Sequence, residues 1–223
     1  STPNLSLRRQ RQMCIRDRYK ATEVFGKWAE EGKDVGMEEG HAASVSEMLD
    51  FAIKEREEIK KKYSFLDIGC GNGWVVRRVK TDPLCSIALG VDGAEQMIAK
   101  AKAKGNENQY LHTDIRTYEP SIKFDLVHSM EVMYYLNDPF LLIKKVEESW
   151  LKQNGRLIIG IDLYYENKDS HAWEEKVETP MLMLKESEWI DMFHQAGLVH
   201  IENWRANQSK QWAGTLVLTG KKT

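Results

Sequence analysis

The chain has 223 residues, 42% of them hydrophobic, and a formal net charge of −2 at pH 7. That is enough apolar material for one substantial core, and one domain is the natural count. With a sequence pI near 6.3 no global basic field gathers nucleic acid, and no apolar stretch reaches the roughly 20 residues that span a bilayer.

Residues 1–18 read as foreign to the rest. Arg8, Arg9, Arg11, Arg16 and Arg18 stand against Asp17 alone, a net +4 that leaves −6 for the remainder. The stretch lacks apolar periodicity, and Met13–Arg18 resembles a translated sequencing-adapter scar, so it is set aside as a non-native or disordered tail. A nucleic-acid arm and a transit peptide are the competing readings. Residues 19–62 are expected to form N-terminal helices. Phe25 and Trp28 sit on a short helix over 20–31, Gly32–Gly40 reads as a loop, and Val45, Met48, Leu49, Ala52 and Ile53 place a second helix over 41–62.

The most informative segment is Phe65-Leu66-Asp67-Ile68-Gly69-Cys70-Gly71-Asn72-Gly73-Trp74. An apolar strand runs into glycines and then into a helix carrying Val75, Val76 and Val79, which brings bare backbone N–H groups near a ligand. The spacing is G-x-G-x-G. The third glycine of the dinucleotide fingerprint G-x-G-x-x-G is replaced by Trp74, and Asp67 would repel a pyrophosphate and attract a cation. Both departures favour a cationic, phosphate-free nucleoside over NAD. An ordinary glycine-rich turn is the plain alternative. A second run, Ile87–Val91, ends in Asp92, where an acid takes ribose hydroxyls in nucleotide-binding sheets. A third, Tyr110–Thr113, reaches Asp114, and a fourth, Phe124–His128, leads to Ser129-Met130-Glu131. Asp138-Pro139 starts a helix to about Leu151, Asn154-Gly155 turns it into a strand over Arg156–Asp162, and a long polar and aromatic connection spans 163–186. A helix ends at Ala196-Gly197, and Val199–Trp204 with Trp212–Thr219 form a hairpin.

Across about residues 60–220 these motifs resemble the class I S-adenosylmethionine-dependent methyltransferases. The resemblance implies a Rossmann-like three-layer α/β/α sandwich over residues 63–223, its seven-stranded, mostly parallel sheet closing with an antiparallel hairpin. It implies S-adenosylmethionine as cofactor and S-adenosylhomocysteine as product. Asp67 and Gly69, Cys70, Gly71 and Gly73 would hold the methionine part, Asp92 and Gly93 the ribose, and Asp114 and the Ile115 N–H the adenine. Ser129 and Met130 would complete the floor. It also gives the helices before the first strand a covering role through Trp28, Met37, Glu38 and His41, with plain packing on the sheet as the alternative.

The chemistry is transfer of a sulfonium methyl by SN2 displacement, for which a protein supplies alignment, desolvation and sometimes a base. Glu131 and His171 are the candidate bases, and Tyr134 or Tyr165 would orient the acceptor. His128 reads as structural and Cys70 as a small filler. No metal-ligand spacing appears, and three cysteines give no pairing, so a reducing cytoplasm is the default compartment. The aromatic and neutral polar residues of the long connection suggest a small-molecule acceptor. Ser129–Val132 stands where nucleic-acid amino methylases of the family carry Asn/Asp-Pro-Pro-aromatic, which argues against that acceptor. RNA or protein acceptors, a catalytically silent cofactor-binding partner and an NAD-dependent oxidoreductase are the remaining alternatives. Oligomeric state is not encoded in any of these features.

Overall fold

A computed structural model of the chain describes residues 20–223; the reading of residues 1–18, Cys14 included, lies outside them. Two helices come first, α1 (Ala21–Glu30) and α2 (Asp34–Ile59). Strands and helices then alternate: β1 (Tyr63–Ile68), α3 (Trp74–Lys80), β2 (Cys85–Asp92), α4 (Glu95–Lys104), β3 (Tyr110–His112) and β4 (Phe124–Met130). After α5 (Pro139–Lys145) a π-helical turn over Val146–Trp150 leads into β5 (Leu151–Ile161). Helices α6 (Trp173–Val177) and α7 (Glu186–Gln195) precede the hairpin β6 (Val199–Ala206) and β7 (Thr215–Lys221).

The seven strands lie in the order β3-β2-β1-β4-β5-β7-β6. The first five run parallel, and β7 is antiparallel to both its neighbours. The order reverses between β1 and β4, and such a switch point opens a crevice at the carboxyl ends of the strands. All six residues of β1 are buried, as expected for a parallel strand covered on both faces. Its alternate residues feed two separate cores. Phe65, with Leu126 and Ile158, packs against Val45, Met48 and Leu49 of α2 and Val75, Val76 and Val79 of α3. Leu66, with Val127, Leu157 and Ile159, packs against Leu142 and Ile143 of α5 and Trp189 and Phe193 of α7. Trp189 is fully buried, so its truncation to alanine should cost roughly 3–5 kcal/mol.

The architecture is the three-layer sandwich expected, with two local corrections. Gly32–Gly40 is not a loop. Helix α2 begins at Asp34, and Gly36 and Gly40 sit within it, their Cβ positions facing open space. Tertiary anchoring overrides the glycines' poor helix propensity: the Asp34 carboxylate, in the first turn, is buried against Lys100 Nζ at 2.6 Å and Asn72 Nδ2 at 3.0 Å. Nor does Asn154-Gly155 turn a helix into a strand. β5 already starts at Leu151, and its register against β4 jumps from Phe124↔Leu151 to Leu126↔Arg156. The pair lies inside a bulge, where Asn154 supplies a φ of 60°. Among the described residues no helix is long and apolar enough to cross a membrane.

Candidate functional site

The carboxyl ends of β1, β2, β3 and β4 border a cavity of about 840 Å³, within the usual range for a small-molecule site. Its lining brings together Asp67, Gly69, Cys70, Gly71, Asp92, Gly93, Asp114, Ile115, Met130 and Glu131. These come from four loops, and only the parallel sheet places them side by side.

Five N–H groups of the glycine loop are engaged within the protein rather than bare as the sequence suggested. Gly69 and Cys70 donate to the Val91 carbonyl at 2.8 and 3.1 Å, and Gly73 donates to the Cys70 carbonyl at 2.9 Å. Gly71 donates to Asp92 Oδ2 at 2.9 Å, and Trp74 to Asn72 Oδ1 at 3.2 Å. A loop whose donors are spent internally is a poor cradle for phosphate. The charge of the wall points the same way: seven carboxylates line the cavity against Lys20, Arg116 and Lys145, a balance that attracts cations.

Each acid has a defined setting. Asp67 is buried, and its Oδ1 lies 2.7 Å from His128 Nδ1; His128, the residue read as structural, fixes that carboxylate from β4. Asp92 Oδ1 accepts from the Ala94 N–H at 2.7 Å, so one carboxylate ties the glycine loop to the start of α4. Burial pushes the Asp92 carboxyl up against those two hydrogen bonds. Asp114 is held by Arg116 at 2.6 Å and is thereby kept below the usual carboxylate range. Asn72 bridges the loop to α2 through Asp34 and, at 3.3 Å, Glu38. Burial works against Asp34's charge, but Lys100 and Asn72 outweigh it and hold its pKa down. For Cys70, burial and then the nearby Asp92 and Asp67 push the thiol well up, leaving it protonated and unreactive at neutral pH.

Gly73, Ser129, His171 and Tyr165 do not line this cavity, and Tyr134 lines only a smaller one beside it. Gly73 has a φ of 79°, and a Cβ there would meet Tyr110 at 2.4 Å and Ala101 at 2.9 Å, so it serves the packing of α3 on α4. Ser129 is buried and donates to the Ile68 carbonyl at 3.0 Å. His171 is exposed and bonds the Tyr165 carbonyl at 2.8 Å, away from the cavity. Tyr134 is buried, and its hydroxyl donates to Glu131 Oε2 at 2.6 Å.

Glu131 is the expected catalytic residue that does reach the cavity. It takes a left-handed conformation, φ 60°, a strain typical of functional positions. Its Oε1 accepts from the Asp162 N–H at 2.5 Å. Burial, and next the Asp162 charge, drive its carboxyl well above the usual value despite the Tyr134 hydroxyl. His41 of α2 lies beside it, its Nε2 3.8 Å from Asp162 Oδ2. Burial, partly opposed by Asp162, lowers the His41 pKa, so its imidazole is neutral near pH 7. Burial likewise raises the Asp162 carboxyl. Sequence reading missed Asp162, although an acid ending the fifth strand repeats the pattern of Asp67 and Asp92. It also missed that His41, Glu131 and Asp162 converge, since no spacing connects them.

A second cavity of about 460 Å³ adjoins the first. Phe25, Met37, His41, Glu131 and Tyr135 line both, and Trp28, Tyr134 and Trp173 line the second. The helices before β1 therefore face the site rather than merely packing on the sheet.

A family model described as a methyltransferase domain matches residues 66–159, the segment from the end of β1 through β5. Over that segment, which is less than half of the chain, it is similar to the class I S-adenosylmethionine-dependent methyltransferases. The cofactor that this match indicates is S-adenosylmethionine, with S-adenosylhomocysteine as its product form. The chain is 31% identical over 137 residues to (S)-coclaurine N-methyltransferase of Papaver somniferum, covering 56% of this chain and 38% of that protein. It is 30% identical over 119 residues to a ubiquinone biosynthesis O-methyltransferase of Pelagibacter ubique, covering 50% and 47%. It thus spans less than half the length of these curated relatives. A methyltransferase of Haloferax volcanii, solved in complex with the Trm112 methyltransferase activator, shares the fold with a TM-score of 0.73 at 24% identity, over 88% of this chain and 96% of that one.

Proposed function

We propose that the chain transfers the methyl group of S-adenosylmethionine to a small-molecule acceptor, with the cofactor in the larger cavity and the acceptor in the smaller one. The observation that carries this reading is the convergence of Asp67, the Gly69–Gly71 backbone, Asp92 and Asp114 around one acid-lined cavity. The donor set fits the group. Asp67 suits the α-ammonium of the methionine part, Asp92 has lone pairs left for the ribose hydroxyls, and Asp114 and the Ile115 backbone suit the adenine edge. No Cβ fills the space over Gly71, which leaves the ligand room to approach the loop. Val132, Met130 and Leu142 add apolar wall.

When bound, the cofactor supplies an already activated methyl on a positively charged sulfur. The chain's own residues then have to align the acceptor, exclude water and take a proton where the acceptor carries one. Helix α1 and the first turns of α2 form the cover, tied to the glycine loop through Asn72, Asp34 and Lys100.

The test is thermal unfolding of the full chain with S-adenosylmethionine, S-adenosylhomocysteine or NAD. At about 100 times its dissociation constant a specific ligand adds roughly 2.7 kcal/mol, which raises the midpoint of a domain this size by roughly 5–11 °C. A shift with both adenosyl ligands and none with NAD is expected. No shift with either adenosyl ligand would refute the proposal. Binding without turnover across a broad acceptor screen would favour the silent-partner alternative.

A further inference from the structure

The group formed by His41, Glu131 and Asp162 is not explained by the cofactor. The three residues come from α2, from the turn after β4 and from the end of β5, and offer ligand atoms all within 4.8 Å of one another. Two of them, His41 and Glu131, lie on the wall shared by the two cavities. Asp162 stands behind them at 5% exposure, and its Oδ1 has no hydrogen-bond partner among the described residues. An unpaired buried carboxylate oxygen is costly unless something completes it.

We propose that this cluster is the anchor of the acceptor, and that the acceptor is an amine, bound as its ammonium and methylated on nitrogen. The inference rests on the methyltransferase reading above. Burial disfavours the charges of Glu131 and Asp162 when the site is empty, and a bound cation stabilises both as carboxylates, so that with His41 neutral the cluster presents mostly acceptor atoms. A hydroxyl brings one donor to such a group, whereas an ammonium brings two or three together with the compensating charge. The surroundings suit an organic cation. Phe25 meets Trp28 and Tyr135 edge-on at 5.4 and 5.2 Å between ring centres, and all three rings face the second cavity, where aromatic faces stabilise an ammonium. Two cations, Lys33 and Lys176, also border that wall, and Lys33 is paired with Glu31 at 2.6 Å.

A divalent metal fits less well. Both Glu131 oxygens are already engaged, by the Tyr134 hydroxyl and the Asp162 N–H.

In the transfer the ammonium gives one N–H proton to the His41 imidazole, which frees the nitrogen lone pair. The N–C bond then forms as the methyl–sulfur bond breaks, and sulfur keeps the electron pair. The product nitrogen carries the positive charge that sulfur lost. His41 takes the proton here, while Asp162 is a positioning residue.

The experiment uses the full chain saturated with S-adenosylhomocysteine and measures binding of 2-phenylethylamine and its isostere 2-phenylethanol by calorimetry. The amine should bind and the alcohol should not. Asp162→Asn should weaken amine binding roughly ten- to a hundredfold while leaving S-adenosylhomocysteine affinity within about twofold, because Asp162 does not line the cofactor cavity. Equal binding of amine and alcohol, no binding of either, or an unaffected Asp162→Asn variant would each overturn the inference. So would saturable, chelator-reversible binding of Zn²⁺ or Mn²⁺ that Asp162→Asn abolishes. Failure of S-adenosylhomocysteine itself to bind would instead refute the parent reading, so the two failures are separable.

Discussion

Gly71 and Gly73 share a backbone conformation but should fail in different ways when given a methyl group. Both have positive φ, 52° and 79°, so alanine at either position pays about 1–2 kcal/mol for the left-handed region. At Gly71 nothing lies within 4 Å of the added Cβ, and that strain is the whole cost to stability. At Gly73 the Cβ would press on Tyr110 at 2.4 Å and Ala101 at 2.9 Å, both buried between α3 and α4. Overpacking of this kind adds about 1–3 kcal/mol. Gly73→Ala should therefore lose roughly 2–5 kcal/mol in all, against 1–2 for Gly71→Ala. In midpoint these are drops of about 4–20 °C and 2–8 °C. Ligand binding should rank the pair oppositely. The methyl at Gly71 enters the cavity and should weaken S-adenosylhomocysteine binding at least about tenfold by steric exclusion. Gly73→Ala, measured below its unfolding transition, should bind nearly as wild type does. Urea denaturation and calorimetric titration of both variants give the four numbers. A Gly73→Ala protein that stays stable but loses the ligand would show that the packing role assigned to Gly73 is mistaken.

Asp92→Ala should weaken S-adenosylhomocysteine binding by roughly 1–3 kcal/mol, and the Gly71 and Ala94 N–H groups lose their acceptor as well; unchanged calorimetric affinity in a folded variant would refute the ribose assignment. Asp34 has a folded pKa below its ordinary 3.8, so it contributes stability that is present above that value and lost as pH falls through the folded pKa. Asp34→Asn should accordingly flatten the acid limb of a stability-versus-pH curve below about pH 4, and an identical acid limb would refute the Lys100 and Asn72 account. His171→Ala should change neither midpoint nor cofactor affinity by more than about 0.5 kcal/mol, since its ring is exposed and meets Tyr165 alone, through that residue's carbonyl and ring; calorimetric loss of affinity would restore it to the site.

The strand sequence Phe65–Ile68, the glycines after it and the acids at Asp92 and Asp114 were enough to read the sheet and the cofactor. Each is a local signal: an apolar run long enough to cross a buried sheet, a backbone that only glycine adopts easily, and an acid where the strand ends. Local signals failed at Gly32–Gly40, where glycine composition indicates a loop but Asp34, buried against Asn72 and Lys100, nucleates a helix. They failed also at Asn154-Gly155, where a turn-forming pair became a bulge once β5 paired with β4. The same limit holds within the site. Its ligand-facing glycines could be listed from sequence, but separating Gly71, which faces the cavity, from Gly73, which faces Tyr110, required the packing of α3 on α4.

By itself, then, the sequence determined which residues end their strands in carboxylates and therefore what kind of ligand the sheet accepts, because strand length and terminal charge are properties of contiguous residues. Only the tertiary structure decided that most of the loop N–H groups are engaged internally and that Asp162 stands behind His41 and Glu131 on the shared wall of two cavities. Those three lie far apart along the chain, and their proximity follows from how α2 packs over the ends of β4 and β5, a long-range arrangement that no local spacing encodes.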